Sequence, residues 1–139
     1  MARPIFKHQS EAEIVVAKAF IERVFPQAKV EFDVPLKSSK PADWESMPEN
    51  YRKMWEYLTA KKIDMVMHLP EKILIVEVKQ KLGASGVGQL LLYKMMYLEQ
   101  YKPGKPVELW QIAMYPDPDV VKLCEKLGIK WWCLNASLI

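Results

Sequence analysis

Apolar side chains recur at helical spacing over residues 10–25, SEAEIVVAKAFIERVF. Val16, Ala17, Phe20, Ile21 and Val24 fall on one side of a wheel turned by about 100° per residue. Pro26 ends this first predicted helix, because it lacks an N–H and its ring crowds the preceding turn. The rhythm then changes, and residues 29–36, KVEFDVPL, alternate as a half-buried strand does. Residues 62–69 (KIDMVMHL) and 72–79 (KILIVEVK) are two further strand-like runs, joined at Pro70-Glu71 and close enough to pair as an antiparallel hairpin. A strong helical pattern over 89–101, QLLLYKMMYLEQY, stops at Lys102-Pro103-Gly104. A strand over 107–114, a helix over 119–127 closed by Gly128, and a strand over 129–134 complete the pattern.

Two segments interrupt this alternation. Residues 37–61 are polar and contain prolines; they read as an insertion. A second helix is expected to open there at Ser46-Met47-Pro48-Glu49, where Ser, Pro and Glu occupy N-terminal positions they favour. Residues 81–88, KLGASGVG, are expected as a loop whose glycines lead into the helix at Gln89. The order αβ(α)ββαβαβ predicts an α/β fold, a mixed sheet flanked by helices, as one domain over residues 1–139.

Composition narrows the class. Half of the residues are hydrophobic (50%) and 27% charged, a globular balance, and no apolar run approaches the roughly 20 residues that span a bilayer. The opening residues MARPIFKHQSEAE turn polar where a secretory signal is apolar, so a soluble, cytoplasmic chain is expected. Cys124 and Cys133 are too far apart for a Cys-x-x-Cys pair and read as small buried residues. The net charge of +3 is compatible with a polyanionic partner without requiring one.

Candidate chemistry arises from the hairpin. A turn centred between Pro70 and Glu71 sets Asp64 directly opposite Glu77, with Cβ atoms about 4.5–5.5 Å apart and both carboxylates on one face. Like charges so placed repel, and a cation between them relieves the repulsion; hard oxygen ligands favour Mg²⁺ or Mn²⁺. Strand alternation puts Lys79 on the face of Glu77. Ile73, Leu74, Ile75, Val76 and Val78 are apolar on both faces, as in a central strand covered on both sides. An acid and a lysine ending such a strand are expensive to bury without a task. Asp33 is a lesser acidic candidate, and His68 reads as a rim residue.

Asp64, then Glu77-Val78-Lys79 closing a hydrophobic strand, then Gln89 opening a helix, resembles the PD-(D/E)xK nuclease superfamily, which includes RecB-type exonucleases, archaeal Holliday-junction resolvases and many restriction enzymes. The likeness runs from about Ser10 to Leu134. Ile63 stands where the named motif has proline. Gln89 and Tyr93, four apart and so on one helical face, resemble the QxxxY element of the RecB-type branch. The resemblance implies a restriction-endonuclease-like, three-layer α/β/α fold and a metal-dependent deoxyribonuclease. Asp64, Glu77 and the Val78 carbonyl would hold Mg²⁺ or Mn²⁺, Lys79 would position the attacking water, and Gln89 and Tyr93 would organise the site. Many members add an acid from the first helix, here Glu13; Ser10-Glu11-Ala12-Glu13 equally reads as a capping box.

DNA is the implied partner, with Lys37, Lys40, Arg52 and Lys81 as the cations expected near its phosphates. Trp44 and Trp55 sit in the insertion with three of these, where either a strand-gripping flap or a subunit contact fits. The other tryptophans, Trp110, Trp131 and Trp132, read as core packing. Two other readings stay open: a Holliday-junction resolvase, which implies a homodimer, and a nucleic-acid-binding protein that keeps the fold without turnover.

Overall fold

The computed structural model describes residues 9–136, so most of the stretch on which the reading of the N-terminus rests lies outside the described residues. The elements follow the predicted order: α1 (Glu11–Arg23), β1 (Lys29–Leu36), a 3₁₀ turn (Trp44–Ser46), α2 (Glu49–Thr59), β2 (Lys61–His68), β3 (Ile73–Lys81), α3 (Ala84–Tyr101), β4 (Val107–Tyr115), α4 (Pro118–Lys126) and β5 (Lys130–Cys133). Five strands form one sheet in the order β1-β2-β3-β4-β5. The first three pair antiparallel and the last three parallel, which makes β3 the central strand.

Helices cover both faces, giving the restriction-endonuclease-like three-layer arrangement. On one face Val16, Ala17 and Phe20 of α1 pack on Met65, Met67, Leu74, Val76, Val78 and Ile112. On the other, Leu90, Tyr93 and Tyr97 of α3 and Val120, Val121 and Cys124 of α4 pack on Val66, Ile73, Ile75 and Leu109. Both parallel crossovers place their helix on that second face, as right-handed β-α-β connections running the same way must. Coverage on both sides explains the unbroken apolar run of β3. Trp110 and Trp132 serve the α1 layer, each with its ring against Phe20 at 5.2 and 5.5 Å. No helix among the described residues is long and apolar enough to cross a membrane.

Two local expectations are corrected. The glycine segment is not a loop up to Gln89: α3 begins at Ala84, and Gly86 and Gly88 lie inside it. Gly86 is there for close approach, since a Cβ on it would lie 2.4 Å from Gln111 Oε1. In the insertion, Ser46 does not cap α2. Its hydroxyl donates to the Asp43 carbonyl, and Pro48 occupies the cap position with no side-chain bond. Helix α2 buries no residue and leaves Tyr51, Met54, Tyr57 and Leu58 exposed.

Candidate active site

The β2–β3 hairpin has the register of a turn centred at Pro70-Glu71: Met65 pairs with Val76, Val66 with Ile75, Met67 with Leu74 and His68 with Ile73. Backbone pairing stops one step short of Asp64 and Glu77, and side chains take its place. The Val78 N–H donates to Asp64 Oδ2 at 2.9 Å, and the Asp64 N–H donates to Glu77 Oε1 at 3.4 Å.

The ladder also breaks on the other side of Asp64. Strand β1 pairs Phe32 with Met65 and Val34 with Ile63, skipping Asp33, which holds a left-handed φ of 52°. Aspartate tolerates that conformation better than most residues. Both strands change face at this row. Val30 and Phe32 pack toward α1 but Val34 and Leu36 toward α3; likewise Met65 and Met67 face α1, whereas Ile63 joins the α3 side. Asp64 is thus released from pairing on both flanks, where an ordinary strand residue would be locked into the sheet.

Burial dominates the electrostatics. Glu77 is only 2% exposed; burial, and then the Asp64 charge, push its carboxyl up to about 9. Asp64 rises to about 6, again through burial, opposed by the bond from the Val78 N–H. Lys79, half-buried, favours the ionised form of both acids. Its ammonium makes no ion pair or hydrogen bond with the described residues, so its charge is available.

The first helix opens onto this pair. Gln9 donates to Asp64 Oδ1 at 2.9 Å. Glu13 forms the capping box: its Oε1 accepts from the Ser10 N–H at 2.9 Å, and Ser10 Oγ accepts from the Glu13 N–H at 3.2 Å. Its charge is still felt by Asp64, whose pKa it raises. Among the described residues no three acidic, histidine or cysteine side chains converge as a metal cage. The Val78 side chain is buried in the α1-side core, which leaves its carbonyl as the only group it can offer a metal.

On α3, Gln89 lies in the second turn rather than at the start, and its Nε2 reaches Tyr93 Oη at 3.4 Å. Burial first, then the charges of Glu77 and Asp64, raise the Tyr93 phenol, which places it electrostatically at the site. The four predicted DNA-contacting cations make no hydrogen bond or ion pair to Asp64, Glu77 or Lys79 among the described residues. Lys81 pairs with Asp117 at 3.7 Å. Lys40 and Arg52 lie 4.9 and 5.8 Å from the Trp44 ring centre, and Arg52 donates to the Met47 and Glu45 carbonyls, so both build the insertion itself. Lys37 lines a groove of about 360 Å³ with Lys61, Leu92 and Met95. His68 meets Glu31 at 2.6 Å on the rim.

Sequence reasoning missed Gln9 and Gln111. Gln111 is fully buried on β4, beside Glu77 in register. A lone amide between Leu109 and Ile112 in a strand next to the centre was the available signal.

No protein-family model matches the chain, and no curated protein matches it significantly. A repair endonuclease from Pyrococcus abyssi shares its fold, with a TM-score of 0.52 and 22% identity over 93% of this chain and 48% of that one. EndoMS in complex with dsDNA aligns at a TM-score of 0.48 and 20% identity, over 94% of this chain and 47% of that one. The chain therefore spans about half the length of these structures.

Proposed function

We propose that this chain hydrolyses DNA phosphodiester bonds as a metal-dependent deoxyribonuclease of the PD-(D/E)xK type, with the Asp64–Glu77 pair and Lys79 at its centre. The observation that carries the reading is the junction where β2 leaves β3: two carboxylates exchange backbone donors there, with an uncommitted ammonium beside them. The residues suit a divalent cation. Both acids resist ionisation alone, and every donor at the pair is a hard oxygen, which favours Mg²⁺ or Mn²⁺.

Asp64, Glu77 and the Val78 carbonyl would hold the ion, and Glu13 would join them only by leaving its capping box with Ser10. When bound, it would supply an acidified water and polarise a phosphoryl oxygen. The protein's own part is then positional and electrostatic. Lys79 orients the water and offsets charge gathering on the phosphate, while Tyr93 and Gln89 fix the wall opposite Glu77. Lys37, Lys40, Arg52 and Lys81 are the proposed phosphate contacts; the Lys37 ammonium makes no ion pair among the described residues, whereas Lys81 would have to leave Asp117. The exposed apolar face of α2 favours one variant of this reading, a junction resolvase acting as a homodimer, for which that face is a ready subunit contact.

Cleavage of single-stranded, duplex, flapped and four-way DNA with and without Mg²⁺ tests the reading. Hydrolysis that requires Mg²⁺ or Mn²⁺ and stops on chelation is expected, and a strong four-way preference selects the resolvase variant. Salt-sensitive DNA binding without metal-dependent cleavage of any substrate would leave a binding protein instead.

A further inference from the structure

Gln111 is buried beside the carboxylate pair, and the chemistry above leaves it unused. It faces the α3 layer, as Leu109 and Ala113 do on the same strand, and Glu77 is its register partner on β3. A buried primary amide is costly unless its groups are paired. Its Oε1 accepts from the Gly83 N–H, at the N-cap of α3, at 2.8 Å. Its Nε2 has no partner among the described residues.

The helix is shaped around this amide. A Cβ on Gly86 would lie 2.4 Å from Gln111 Oε1 and 2.9 Å from Nε2, so α3 can approach β4 here only because residue 86 is glycine. The complementary orphan lies one turn on. Gln89, three residues after Gly86 and therefore on the same helical face, donates Nε2 to Tyr93 and leaves its buried Oε1 unpaired. An unpaired donor and an unpaired acceptor beside one helical turn are satisfied together by a single bridging water. The direction is then consistent along the line. Gly83 donates to Gln111 and Gln89 to the Tyr93 oxygen, and a water between the two amides would accept from Gln111 and donate to Gln89. Glu77, the register partner of Gln111 on β3, is the nearby acid whose charge raises the Tyr93 phenol.

We propose that Gln111 is a positioning residue: it docks the N-terminus of α3 on β4 and, through Gln89, fixes the Tyr93 hydroxyl. Its kinetic consequence rests on the nuclease reading above; its geometry does not.

Gln111→Met keeps the volume and removes both bonds. In an active protein it is expected to lower kcat about 10-fold, the scale of a small misplacement at a site, with KM little changed. In a Tyr93→Phe background the same substitution should change kcat less than about 2-fold, because the two residues act in one line. A purely structural role predicts equal losses in both backgrounds, and that outcome, or an unchanged kcat in the single variant, overturns the proposal. A second readout is independent of cleavage. The ¹³Cζ resonance of Tyr93 should move in Gln111→Met, and an unmoved resonance refutes the line of bonds even if the wild-type protein cuts nothing. Should Gln111→Met fail to fold, Gln111→Leu removes both bonds with a smaller side chain, so it carries the same comparisons. Absence of cleavage by wild type, with the resonance moving as expected, would count against the nuclease reading alone.

Discussion

Glu77→Gln is expected to lower DNA cleavage by about 10³-fold, the scale of losing a preorganised electrostatic group, while raising the melting temperature of the metal-free protein. Both effects follow from burial. The Glu77 carboxyl is almost fully enclosed and faces a second acid, so its ionised form is held at an energetic disadvantage. An amide of the same shape accepts the Asp64 N–H equally well and removes the repulsion. It offers a cation a neutral oxygen in place of a charged one, and activity falls. Lys79→Ala should lower cleavage on a similar scale without stabilising the protein, since Lys79 eases the ionisation of both acids and its loss strengthens their repulsion. Single-turnover cleavage rates and thermal melts of the two variants measure this. A structural cluster would show the reverse pattern, with lost stability and unaltered chemistry.

The second large effect is a metal-dependent change in how stability responds to pH. Asp64 ionises at about 6 in the folded chain against 3.8 ordinarily, and Glu77 at about 9 against 4.5. Both are raised, so between the unfolded and folded values the folded protein binds more protons than the unfolded chain. The pair's contribution to stability is therefore fully present below about pH 4 and is lost as pH climbs through 6 and on to 9. Without metal, the melting temperature should decline between pH 5 and pH 9 as this pair ionises. Mg²⁺ binds the ionised pair, so its stabilising effect should grow with pH; at 100 times Kd it amounts to about 2.7 kcal/mol. Melting curves at pH 5, 7 and 9 with and without Mg²⁺ test this, with Glu77→Gln as the control that flattens both responses. Equal Mg²⁺ stabilisation at pH 5 and pH 9 would mean that the ion binds elsewhere.

How much of this was legible beforehand differs from residue to residue, for physical reasons. The hairpin was legible because a short proline turn between two apolar runs leaves few registers, and only one keeps the apolar faces inward. The capping box was legible because Ser10 and Glu13 act within one helical turn. Gly86 was misread because glycine marks two different things, backbone freedom and close approach. The second depends on Gln111, a residue 25 positions away that only the folded sheet brings near. Asp33 was noted as an acid, yet its role here is conformational: its left-handed backbone breaks the β1–β2 ladder opposite Asp64. Ser46 carried a local capping signal, yet its hydroxyl bonds back to the Asp43 carbonyl instead. Local chemistry could be read from the chain, and contacts between distant segments could not.

The most direct test of the central claim is anomalous diffraction from a crystal soaked in Mn²⁺. A peak within coordination distance of both Asp64 and Glu77, close to the Val78 carbonyl, is the predicted result. Mn²⁺ bound elsewhere, with the two carboxylates sharing a proton and contacting only the Asp64 and Val78 amides, would contradict it.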